Sequence, residues 1–293
     1  ACVLPENPAS YRVVRTKSYL FNKALEMIKF PTKKRVDLYK NAVSSEQLQL
    51  DLAAAQEFMF DAWETDDLDV VLKLIRKAIK KSPLCADAYS FYCEISEEPP
   101  ESKIGTLETA LYAASVALGE DFQEFAGNFW GFVETRPYMR AKAALADALW
   151  ELGNFYPAMS HCHEMLKLNP NDNQGIRHLL ANYYLELEMV DELTLLLDNY
   201  SGDMRPFLQY TRALLAYRQS SPDADDIAKA AISSNKHIPS LLSKCKLQPK
   251  SNSGYITLGE MDEAIDYINH NIKPWIRTPN AIEWIMNISS ANK

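Results

Sequence analysis

Apolar residues recur three and four positions apart along most of this chain, the spacing that lays one stripe along an α-helix. The stripe stops at turn formers and restarts, so the pattern predicts many short helices. Residues 18–30 predict a first helix, capped by Ser18, with Leu20, Ala24, Leu25 and Ile28 on one face and Pro31 at its end. Residues 32–43, TKKRVDLYKNAV, are basic and half-helical in pattern. Ser44 or Ser45 caps a long helix over 46–64, with Phe58, Met59 and Ala62 inward, and a second follows over 67–81. Helices over 84–96 and 103–118 are divided by Pro99-Pro100. Residues 119–138 break the rhythm with an aromatic, Gly-bearing insertion. Further helices are predicted on both sides of Gly153, then over 173–187, 190–199, 205–219 and 223–234, with a short piece at 239–244. A closing pair is predicted over 259–272 and 278–289, the last opened by Pro279, with Trp275 and Trp284 capping the core.

One stretch repeats this plan most clearly. In RAKAALADALWELGNFYPAMSHCHEMLKLNP, residues 140–170, Leu145, Ala146 and Leu149 share the face of a first helix. Gly153 sits at the bend, Ala158 is the small contact on a second helix, and Pro170 closes the unit. This is the spacing of a tetratricopeptide unit, which cannot bury its apolar face alone and needs stacked neighbours. Ala78 stands five residues before Pro83, in the same relation, with Asp66 and Asp67 in place of a turn glycine.

The segments AQEFMFDAW (55–63), SPLCADAY (82–89), NFWGFVETRPYMRA (128–141), LNPNDNQGIR (168–177), NKHIPSLL (235–242) and GEMDEAIDY (259–267) carry a wider resemblance. In order and at comparable spacing, they resemble a bacterial and archaeal tetratricopeptide repeat protein family, itself distantly similar to the suppressor-of-tumorigenicity-7 proteins of animals. The resemblance spans about 55–285. It implies a helical repeat fold, no known catalysis and no catalytic residue to carry over. Residues 1–45 lie outside the pattern, and KLQPKSNSGYITL (246–258) lacks the aromatic, Gly-rich turn that family members tend to show. The expected fold is therefore all-α, a right-handed tetratricopeptide-type helical-hairpin solenoid with an N-terminal extension. Its expected divisions are a basic arm (1–45), the repeats with the 119–138 insertion (46–235), and a linker with a capping helical pair (236–293).

Charge is uneven. Residues 1–50 hold nine Lys/Arg against four Asp/Glu, and 51–135 hold six against seventeen, within a net charge of −8. A basic arm before an acidic body steers an acidic partner to the N-terminus, or packs on its own acidic neighbour. The overall acidity, with a pI near 5.3, disfavours nucleic acid, which calls for a broad basic face. No apolar run reaches the 18 residues of a membrane span. Five cysteines without a CxxC, three of them in helical stripes, read as buried thiols in a reducing compartment without structural disulfides. Residues 1–20 lack the uninterrupted apolar core of a signal peptide. Together these point to a soluble intracellular protein, in cytoplasm or an organelle matrix.

Candidate chemistry is sparse, and no cofactor or metal is expected. His161 and His163 are two apart on a helix, about 200° around it, so they cannot share a metal. Glu134, Arg136 and Tyr138, with Arg140, suggest either an acid-binding clamp or, preferred, an internal ion pair of Glu134 with Arg136 or Arg140 that locks the insertion. Asn171, Asp172 and Asn173, within NPNDNQG, read as helix caps at a tight turn, with Asn171 or Asp172 starting the next helix. The helix lining the concave side of such a solenoid would present Arg140, Ala143, Asp147 and Trp150, then Gln174, Arg177, His178, Ala181 and Tyr184, then Tyr210, Thr211 and Tyr217. With Ala143 and Asp147 where a carboxylate clamp needs Lys and Asn, such a groove suits an extended peptide.

Three functional readings follow. The first is a non-catalytic scaffold or adaptor that holds a protein segment in this groove. The second is an accessory subunit of a larger assembly, anchored by the arm through Arg12, Arg15, Lys17, Tyr19, Phe21, Lys33, Lys34 and Arg35. The third and least favoured is an enzyme whose site is built by 119–140.

Overall fold

The computed structural model describes residues 28–248 and 256–291. Among them every regular element is helical and there is no strand. The fourteen α-helices are α1 (Lys33–Ala42), α2 (Ser45–Glu64), α3 (Leu68–Lys81), α4 (Ala86–Ile95), α5 (Pro100–Leu118), α6 (Arg136–Glu151), α7 (Phe155–Leu168), α8 (Ile176–Glu186), α9 (Val190–Asn199), α10 (Pro206–Arg218), α11 (Ala224–Ser234), α12 (Ile238–Leu242), α13 (Met261–Arg277) and α14 (Ala281–Ala291). Two 3₁₀ turns, Gly119–Gln123 and Phe129–Gly131, occupy the insertion. Successive helices pack as neighbouring pairs, and no helix of the described residues is long and apolar enough to cross a membrane.

Local chemistry accounts for several boundaries. The Ser44 hydroxyl accepts the Gln47 amide at 3.2 Å and starts α2. Asp67 accepts the Asp69 and Val70 amides at 3.0 and 3.3 Å, so a carboxylate cap replaces the missing turn glycine before α3. Pro100 is the first residue of α5 instead of a breaker, because the first-turn amide it lacks has no helical partner anyway. The closing pair departs from its pattern. α13 runs through Pro274, whose carbonyl accepts from Arg218 Nη2 at 3.2 Å and from the Thr278 hydroxyl at 2.8 Å. Asn280 then turns at φ 60°, so α14 begins at Ala281 and Pro279 belongs to the turn.

The described residues form two compact units, 28–176 and 177–291. In the first, Ala55, Met59 and Ala62 of α2 meet Ile75 and Ala78 of α3 and Ala88 of α4 in one continuous core. Residues 28–30 are not helical, against expectation. Ile28 and Phe30 pack on that core instead, the Phe30 ring 5.1 Å from Tyr89 and 4.8 Å from Tyr92. The remainder of the expected first helix, 18–27, lies outside the described residues. α1 is fully helical and docked on α5. Val36 is completely buried, Lys33 Nζ meets Glu108 at 3.3 Å, and Tyr112 donates a short hydrogen bond to Asp37. Part of the supposed arm is therefore core.

In the second unit α10, α11, α12 and α13 enclose an aromatic centre. Trp275 is fully buried and donates to the Tyr267 hydroxyl at 2.7 Å. Tyr210 donates to the Asn235 carbonyl at 2.7 Å. Trp284 packs tilted against Tyr217 at 4.6 Å and donates to Asp225 at 2.8 Å. Cys85, Cys93 and Cys162 are buried thiols, but Cys245 is disulfide-bonded, which corrects the expectation that no cysteine is.

Two outcomes follow from this packing. Replacing Trp275 by alanine should cost about 3–5 kcal/mol in chemical denaturation, through lost burial and a cavity. Asp51 receives Lys81 Nζ at 2.7 Å, the Tyr39 hydroxyl at 2.7 Å and Gln47 Nε2 at 2.8 Å. These hydrogen bonds, from Lys81 first, lower its carboxyl to about 2, below the unfolded value. Its stabilising effect is thus complete above pH ~4 and lost as pH falls through 2. The melting-point gap between wild type and Asp51→Asn should shrink over that window, and a gap that stays constant with pH would refute the linkage.

Candidate functional site: the face of α2, α4 and α6

Within residues 28–176, α4 packs beside both α2 and α6, so the three helices share one face. Asp87, Ser90, Phe91 and Glu94 recur at i, i+3, i+4 and i+7, one side of α4. Asp87 is 1% exposed and receives a two-pronged contact from Arg140 of α6, with Nε to Oδ1 at 2.7 Å and Nη2 to Oδ2 at 2.6 Å. The same guanidinium lies 5.3 Å from the Trp63 ring centroid on α2. Trp63 in turn meets Phe60 at 5.8 Å and Phe91 edge-on at 6.3 Å. Phe60 and Trp63 remain 43% and 40% exposed, more than core aromatics retain. Ser90 is buried, yet its hydroxyl has no hydrogen-bond partner among the described residues. An aromatic shelf thus stands beside an oriented cation.

The insertion is a structural brace. Phe129 is fully buried between Phe122 at 4.9 Å and Tyr138 at 5.5 Å. The Gly127 amide donates to the Leu168 carbonyl at 2.8 Å, tying the loop to the end of α7. Arg136 Nε donates to the Trp130 carbonyl at 3.1 Å while its guanidinium lies 5.8 Å from that ring. Glu134 is exposed and forms no ion pair among the described residues, so the expected link to Arg136 or Arg140 is absent: Arg140 is taken by Asp87. Of the expected caps of the 169–175 turn, Asn171 and Asn173 make no capping hydrogen bond among the described residues, and Asp172 does. Asp172, at φ 45°, accepts the Gly175 and Ile176 amides at 3.1 and 2.8 Å, and Asn169 Oδ1 accepts the Trp130 amide at 3.3 Å. Behind the brace, the almost fully buried Lys142 ammonium meets Glu164 at 2.5 Å and Tyr138 at 5.6 Å. Lys142's hydrogen bond holds Glu164 below the usual carboxylate range. Burial first, then the Lys142 charge, lowers His161.

Most of the other expected groove residues are turned inward. Trp150 is buried with its ring 4.6 Å from Phe155, Asp147 is exposed and Gln174 half-buried. In the unit 177–291, Arg177 donates to Asp203 at 2.8 Å and stacks on Tyr200, while His178 contacts the same carboxylate at 3.2 Å and stacks on Phe207. Burial works to raise Asp203, but the His178 and Arg177 contacts outweigh it and hold its carboxyl low. Tyr184 is 5% exposed and Tyr210 not at all, because both fill the core. Tyr217 lines an open depression of about 520 Å³ with Trp284, Asp225 and Arg218. Arg218 is already committed to the Leu185 and Pro274 carbonyls and the Thr278 hydroxyl, so the depression offers a ligand little. Lys34 and Arg35 are exposed on α1, and Arg12, Arg15, Lys17, Tyr19 and Phe21 lie outside the described residues.

Sequence reading missed Asp87, Ser90 and Phe91, and ranked Phe60 and Trp63 no higher than their neighbours. The available signal was the i, i+3 aromatic pair lying off the Ala55–Met59–Ala62 stripe. The Asp87–Arg140 contact predicts an asymmetry. Arg140→Ala strands a carboxylate that is 1% exposed and should cost about 3–5 kcal/mol. Asp87→Ala leaves an arginine side chain that is 34% exposed and can rehydrate, so it should cost less. Denaturation of both variants checks this, and the reverse order would sink it.

No protein-family model matches the chain, and no curated protein matches it.

Proposed function

We propose that this protein is a tetratricopeptide-type helical-repeat scaffold, without catalytic action, that holds a protein segment on the face of α2, α4 and α6. The observation that carries the reading is the pair Phe60 and Trp63, each about two-fifths exposed beside a preset Arg140. Aromatic and arginine side chains are the residue types that dominate binding energy at protein interfaces. The spacing of residues 140–170 and the resemblance to tetratricopeptide proteins support the repeat architecture. A right-handed stack of hairpins is the arrangement such units adopt, since each needs a neighbour to cover its apolar side.

A second reading, an accessory subunit of a larger assembly, is favoured by the exposed Phe132, Val133 and Tyr156, at 39%, 60% and 77%. The two readings part experimentally. Random peptides displayed on phage and selected on the full chain should enrich sequences that bind in the micromolar range. Phe60→Ser/Trp63→Ser should weaken that binding about tenfold or more, with circular dichroism unchanged. Binders that ignore this variant but are lost in Val133→Ser/Tyr156→Ser would move the site to the insertion. Failure to enrich any binder would remove the scaffold reading.

A further inference from the structure

The end of α2 carries a charge pattern that its aromatics alone do not explain. From Asp51 to Leu72 there are seven Asp/Glu and no Lys or Arg. Asp61, Glu64, Asp66 and Asp69 are exposed around Phe60 and Trp63, and none forms an ion pair within 4.0 Å among the described residues. Like charges at this density repel one another, and a cation-bearing ligand relieves them. The cations of α3 begin only at Lys73 and run away from this end toward Lys81. Lys77, the one lying over an α2 ring, sits 5.6 Å from Phe58 instead of at the acidic end.

The complementary pattern occurs within the same chain. Residues 7–25 contain Arg12, Arg15, Lys17 and Lys23 and no acid, interleaved with Tyr11, Tyr19 and Phe21. This segment is tethered close by. Ile28 and Phe30 pack against the same core cluster that holds Met59 and Ala62 of α2. Tyr19 stands nine residues before Ile28, about 30 Å of extended chain, so reach does not limit it.

We propose that the acidic, aromatic end of α2 is a docking surface for this chain's own segment 15–23, which carries Arg15, Lys17, Tyr19, Phe21 and Lys23. Its cations face Asp61, Glu64, Asp66 and Asp69, and its rings lie on Phe60 and Trp63. The inference rests on reading the α2–α4–α6 face as a segment-binding surface, and it makes the face self-occupied. An outside segment must then displace a tethered competitor, whose effective concentration is in the millimolar range for a short link.

The test uses the full chain with photoreactive benzoylphenylalanine at position 19, irradiated at dilute, monomeric concentration, with cross-links mapped by mass spectrometry. Cross-links within one molecule should concentrate in residues 57–70. They should fall about fivefold in Asp61→Lys/Glu64→Lys, or at 0.5 M salt, where the screening length is near ~4 Å. Adding Arg15→Glu/Lys17→Glu to the first pair should restore them, which misfolding would not do. Cross-links elsewhere on the chain, or only between two copies, would overturn the proposal. If phage-selected peptides still require Phe60 and Trp63 while position 19 does not reach 57–70, self-occupancy fails and the segment-binding face stands. If neither behaves as expected, both fall.

Discussion

Close approach of helices at buried alanines is the constraint on which the rest of the first unit depends. Ala55, Ala78, Ala88, Ala110, Ala141 and Ala146 are at most 1% exposed, on six positions of α2 to α6. A methyl side chain at a crossing lets two backbones approach more nearly than larger residues allow, and it costs no rotamer entropy. Only with α4 held this near to α2 and α6 can one guanidinium reach both Asp87 and Trp63. The face of α2, α4 and α6 is thus a by-product of the same small-residue contacts that close the core.

Placing a carboxylate at 1% exposure is costly unless a cation answers it. Arg140 does so with both prongs and lies against an aromatic ring, so its own geometry is fixed before any ligand arrives. A preset side chain loses less entropy on binding. The Asp203 node of the second unit uses the same device for a different end. There Arg177, His178 and Arg205 all converge on one carboxylate, and the result is a rigid joint with no open shelf beside it. Exposed aromatics, Phe60 and Trp63 at 43% and 40%, stand next to the first pair.

The insertion shows how an irregular stretch is made rigid without secondary structure. Its aromatic rings pack mainly on one another and on Tyr138, and two hydrogen bonds tie it to the end of α7 and the turn beyond. Composition signalled this much, since six aromatics in twenty residues are not a solvated linker. The ion pair expected of Glu134 did not form, because Arg140 has a better-shielded partner. A buried carboxylate outcompetes an exposed one, as the low-dielectric setting strengthens the attraction and water does not intervene.

Periodicity alone determined that the chain is helical and roughly where each helix runs, because a 3.6-residue stripe is a local property of the backbone. It located α2, α3, α9 and α11 within a residue or two, and it found Ser44 or Ser45 as a cap. Its failures lie where a distant partner decides. α13 runs through Pro274 to Arg277, five residues past its expected end, and Arg218, 56 residues away, holds the Pro274 carbonyl in that last turn. Asp87 is buried because Arg140, 53 residues on, comes to meet it. Tyr210 and Tyr184 became core and Trp63 stayed at the surface, although all three sit on helical stripes of similar composition. A stripe fixes which residues share a side of a helix. Which side meets a neighbour and which meets solvent is set by the packing of other helices against it, and that was decided only by the tertiary structure.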